Sequence, residues 1–153
     1  MNDNKFTNAG EAFRGREARD FSARDQALAR LPDIFTLCKD GVEKFYAAAQ
    51  LGRPDVYVEM PAEHQVSIWY GFRPGRPVSS TAVSVVSGPF AVVFVTHEGV
   101  TLIGSDVSWR DKGEPNNVGE AHELPQGDWH ESISDWLSKF LSDAERLYRE
   151  IRH

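Results

Sequence analysis

From Trp129 to Ile151, apolar side chains return at steps of three and four residues: Trp129, Ile133, Trp136, Leu137, Phe140, Leu141, Ala144, Leu147, Tyr148 and Ile151. That period is helical, and a stripe this broad has to be buried against another surface. Asp128 and Glu131 stand where a capping box would open the helix. The spacing therefore predicts a helix over 128–152, roughly 36 Å long at 1.5 Å per residue. An element of that length crosses a whole small sheet, so the remaining chain must supply a sheet-sized apolar face.

The middle third supplies it with a period of two. Val56, Val58 and Met60 alternate with Asp55, Tyr57 and Glu59, and Val66, Ile68, Tyr70 and Phe72 alternate with Gln65, Ser67, Trp69 and Gly71. Alternation of this kind marks half-buried strands, here joined by a turn over Pro61–Glu63. Arg73-Pro74-Gly75-Arg76 has the composition of a type II turn leading into a strand over Val78–Ser87. Phe90–Thr96 is apolar on both faces, the pattern of a central strand covered on each side. Glu98-Gly99 returns the chain into Val100–Ile103, with further strand expected toward Trp109. Short turns predict an antiparallel meander of four to five strands, with the final helix laid on the face lined by Val56, Val58, Val66, Ile68 and Tyr70. From 110 to 127 the chain is polar and punctuated by Pro115, Asn116-Asn117, Gly119 and Pro125, which reads as a long acidic loop.

The first third is helical in composition. Residues 1–20, interrupted by Gly10 and Gly15, read as a frayed helix or mobile arm. Ser22 and Asp25 open a helix expected to reach Leu31, where Pro32 forces a break and a new start. Ile34, Leu37, Cys38, Val42, Phe45, Tyr46 and Ala49 then form one apolar stripe that Gly52 and Pro54 terminate. Cys38 lies on that stripe and reads as a small buried hydrophobe rather than a nucleophile. The expected fold is thus α+β, with N-terminal helices, an antiparallel sheet and a long C-terminal helix packed on one face. At 153 residues and 41% hydrophobic composition it reads as one domain, 1–153.

A lone cysteine and an N-terminus without a basic-then-apolar leader point to a reducing, cytoplasmic setting. The longest apolar run, near Phe90–Val95, is far short of the about 20 residues of a membrane-spanning helix. The formal charge of −6 is unevenly spread. Between Asp111 and Asp135 seven acids face Lys112 alone. Such a field repels phosphates and attracts basic surfaces, which argues against nucleic acid and for a protein partner. Arg73 and Arg76 beside Phe72 form a small basic cluster, read as a solvated turn.

Catalytic chemistry finds no motif. There is no phosphate-cradling G-x-x-x-x-G-K-[ST], no G-x-S-x-G elbow and no H-E-x-x-H, although histidine neighbours glutamate at 63–64, 97–98, 122–123 and 130–131. No catalytic residue, metal ligand or cofactor is therefore assigned. In layout alone the order of helices, antiparallel strands and long final helix resembles helix-grip ligand-binding folds and small acidic secretion chaperones, with no motif residue in common. The leading expectation is a non-catalytic interaction module, such as an inhibitor, immunity-type protein or chaperone. Its acidic surface would meet a basic partner through Glu114, Glu120, Glu123 and Asp128, with Tyr57 and Trp69 as apolar anchors; a homodimer is also compatible. A small-molecule binder with an apolar cavity between sheet and final helix is the alternative, and an enzyme of unknown class the second alternative.

Overall fold

A computed structural model describes residues 3–50, 56–70, 85–108, 110–111 and 118–152. In order they form α1 (Asp3–Ala49), β1 (Val56–Ala62), β2 (Gln65–Tyr70), β3 (Val85–Ser87), β4 (Phe90–Val95), β5 (Thr101–Asp106), β6 (Arg110–Asp111), β7 (His122–Glu123) and α2 (Trp129–Arg152). The fold is α+β. Five strands make an antiparallel sheet in the order β1-β2-β4-β5-β7, and β3 pairs with β6 in a separate two-stranded ribbon. β4, apolar on both faces, takes the central position, where only Phe94 is half-buried and every other residue is buried.

Registry follows the alternation. Val66 lies opposite Val93, Ile68 opposite both Val58 and Ala91, and Tyr70 opposite Val56, so these side chains share one face. Both helices cover that face. Leu31, Ile34, Cys38 and Val42 of α1 and Ile133, Leu137, Phe140, Leu141 and Ala144 of α2 join Val66, Ile68, Tyr70, Ala91, Val93 and Ile103 in one core. The helices run in the same direction: a Cβ on Gly41 would sit 3.1 Å from Leu137 Cδ2, and five residues on Tyr46 reaches Glu145 of α2. Among the described residues no helix is long and apolar enough to cross a membrane.

Three expectations need correction. Pro32 does not break the N-terminal helix; α1 is a single helix of 47 residues with Pro32 inside it. The ring is exposed and the stripe from Ala27 to Tyr46 is buried on both sides of it, so tertiary packing outweighs the lost backbone hydrogen bond. Residues 3–20 belong to the same helix, and α1 gives way at Gln50, whose left-handed φ of 53° turns the chain before Gly52. Third, the stretch 110–127 is not loop throughout, because Arg110–Asp111 and His122–Glu123 are strands and the latter is the fifth strand of the main sheet. Of Val78–Ser87 only β3 is described; the Arg73–Arg76 turn, Phe72 and Trp109 lie outside the described residues.

Candidate functional site

β7 is short, and its shortness makes a site. It pairs with β5 only at Leu102 and Ile103, through Glu123 and His122. Beside that pairing a groove of about 370 Å³ opens between this sheet edge and α2. Val107, Val118, Trp136 and Phe140 give it an apolar floor, and Ser105, Glu120, His122, Lys139 and Asp143 line it with polar groups. On α2 the lining residues Trp136, Lys139, Phe140 and Asp143 follow steps of three and four, one face of the helix. Phe140 is buried, whereas Trp136 is half-buried with part of its ring in the groove. Val118 is held by Gly104: a Cβ there would lie 3.3 Å from the Val118 Cβ.

Among the described residues the charged lining is Glu120 and Asp143 against Lys139. Glu120 lines the groove, Glu123 is exposed on β7, and Asp128 is exposed just before α2, with its carbonyl accepting from the Ser132 N–H. Asp143 is half-buried and lies 3.9 Å from Arg146, while Lys139 places one cation at the groove. Glu114 lies outside the described residues. Tyr57 and Trp69 face each other across β1 and β2, so those two are brought together, but not with the acids. Four strand spacings, about 19 Å, separate β1 from β7. Tyr57 instead lines a second, smaller groove of about 220 Å³ between β1 and α1, with Lys39, Val42 and Glu43. Trp69 points away from both helices, since its neighbour Tyr70 points toward them, and its ring lies 4.2 Å from that of Phe90.

A second cluster escaped sequence reasoning. Tyr46 of α1 donates to the hydroxyl of Tyr70 of β2 at 2.5 Å, and Tyr70 donates to the carboxylate of Glu145 of α2. Arg149, one turn on, donates to the same carboxylate at 3.4 Å. Glu145 is only 8% exposed, and these donors compensate the burial of its charge. Burial first, then the bonds to Glu145 and Tyr46, push the Tyr70 hydroxyl above its ordinary pKa, so it is a hydrogen-bond donor at neutral pH. The cluster ties the ends of α1, β2 and α2 together. Its sequence signal was an acid on the margin of the α2 stripe with arginine four residues later.

Among the described residues no group of three or more His, Cys, Asp or Glu is placed to hold a metal ion. Burial pushes the Cys38 thiol up to about 12, which suppresses its thiolate. No protein-family model matches the sequence, and comparison with curated proteins and with solved structures finds no significant relative.

Proposed function

We propose that the protein is a non-catalytic protein-binding module whose groove at the β5–β7 edge takes a basic partner with an apolar anchor. The observation that carries this reading is the lining of the groove: apolar Val107, Val118, Trp136 and Phe140 together with the acids Glu120 and Asp143 and one lysine, Lys139. Interfaces of this kind draw affinity from the desolvated apolar centre and association rate from the charged rim. A small-molecule ligand is the second reading, favoured by a groove volume within the about 300–1,000 Å³ typical of ligand sites. The interface between sheet and helices leaves it little room, because Ile68, Val93, Ile133 and Leu141 fill that layer almost without exposure.

The test neutralises Glu120 and Glu123, both exposed, together with glutamine. Association with a basic partner captured from source lysate should slow at low salt and lose much of its salt dependence, with the melting temperature nearly unchanged, since exposed substitutions shift stability by less than about 0.5 kcal/mol. Equal association rates for the variant and the parent would overturn the acidic-rim reading. Co-purification of a stoichiometric small molecule would favour the second.

A further inference from the structure

The sheet ends in two unlike edges. β7 offers two residues at one and β1 seven at the other, and among the described residues no strand pairs with the outer side of β1. Which backbone groups lie open there follows from the hydrogen bonds. The N–H of Tyr70 donates to the Pro89 carbonyl at 2.9 Å, on the β4 side, so Tyr70 and Ile68 turn their backbone toward β4 while Trp69 and Ser67 turn theirs toward β1. The facing residues Tyr57 and Glu59 therefore bond to β2, which leaves the N–H and C=O of Val56, Val58 and Met60 pointing outward. Such an edge is a template for another strand, and proteins blunt one with lysine, proline, a bulge or brevity. From Val56 to Glu59 the strand carries none of these; Pro61 and the register shift come after Glu59.

The helix above this edge carries matched charges. α1 runs antiparallel to β1: Tyr46 reaches Tyr70, the partner of Val56, while Ala23 packs against Gly99 in the β4–β5 turn, at the end of the sheet where β1 reaches Ala62. Lys39 and Glu43, both exposed and one turn apart, line the smaller groove with Val56, Tyr57, Val58 and Glu59. Lys39 therefore stands toward the Glu59 end of β1 and Glu43 toward its Val56 end.

We propose that β1 pairs with β1 of a second copy of this chain about a two-fold axis at Val58, joining two five-stranded sheets into one. In this register Val58 exchanges both backbone bonds with the partner's Val58, and Val56 with the partner's Met60, so every outward group from Val56 to Met60 is satisfied. Tyr57 lies opposite the partner's Glu59, which keeps the two glutamates apart. Above the axis the two α1 helices lie antiparallel, with Lys39 opposite the partner's Glu43 and Glu43 opposite the partner's Lys39. Charge thus selects a second copy in this register, because one surface supplies both signs in the order that a two-fold axis requires. β1 is the edge opposite the groove under α2, so the inference does not depend on how that groove is read.

Sedimentation equilibrium of the full chain should give a mass twice 17.2 kDa at micromolar concentration. Amide hydrogen exchange locates the interface: the N–H groups of Val58 and Met60 should exchange about tenfold more slowly in the dimer than after dilution to monomer, while those of Tyr57 and Glu59, bonded to β2, should not change. Glu43→Lys should raise the dissociation constant about tenfold, and adding Lys39→Glu to it should restore the dimer, because the swap keeps both ion pairs; both positions are exposed, so melting should stay unchanged. A monomer at all concentrations overturns the self-pairing, even if these amides become protected when another protein binds, for the edge then takes a foreign strand. A dimer whose Val58 and Met60 amides exchange as fast as in the monomer overturns it too, since the copies would meet elsewhere, as through the exposed Phe6, Phe13 and Phe21 of α1. So does a dimer that Glu43→Lys leaves unaffected.

Discussion

Cys38 shows what burial does to a single titratable group. It sits between α1 and the sheet with no exposure, and the loss of solvent raises its pKa from 9.0 to about 12. Labelling with an aromatic disulfide at neutral pH should therefore be slow in the folded protein and fast once urea is added; fast labelling without denaturant would place the thiol at the surface. Because the folded value lies above the unfolded one, the folded state holds the proton more tightly. This stabilisation is complete below pH 9 and is lost as pH rises through about 12. Tyr70 shifts in the same direction and steepens the alkaline decline. At about 1.4 kcal/mol per unit, Cys38 alone accounts for on the order of 4 kcal/mol across that window. Urea midpoints measured against pH should fall from about pH 9 upward, and a Cys38→Ala variant should show a shallower slope.

At the level of elements, α1 and α2 test opposite parts of the sequence reading. Pro32 interrupts the hydrogen bonds of α1 without interrupting the helix, so Pro32→Ala should raise stability by about 1–3 kcal/mol in urea unfolding. No gain would mean that the ring contributes something its exposure does not suggest. The break was expected because propensity is local, while the burial of Leu31 and Ile34 on either side of the proline is tertiary. In α2 the stripe was legible in full, but not the difference between its members. Phe140→Ala should cost about 3–5 kcal/mol as a core cavity. Trp136→Ala, half-buried at the groove, should cost only about 1–2 kcal/mol. Equal losses at both positions would show the groove closed. Periodicity names the residues facing inward; it does not reveal where a two-residue strand leaves the edge of the sheet uncovered.

Over the whole molecule, the alternation of β1 and β2 and the doubly apolar β4 were enough to expect the sheet and its centre. The candidate site was legible only in part. Glu120 lines the groove, whereas Glu123 and Asp128 are exposed and not among its lining residues, and Tyr57 and Trp69 lie on β1 and β2, four and three strands from β7. His122, Lys139 and Asp143 were missed, since their meeting depends on how α2 crosses the edge, a distance of many residues along the chain. That crossing also governs how the protein is born. The face of the sheet begun by α1 is completed by Ile133, Leu137, Phe140 and Leu141, which follow the end of α1 by some 80 residues. At 5–20 residues per second the apolar stripe of α1 thus waits roughly 4–16 s for the last of its core partners to be made. A chain cut short between β7 and α2 would leave the α2 half of the sheet face bare permanently, making it a substrate for chaperones and proteases.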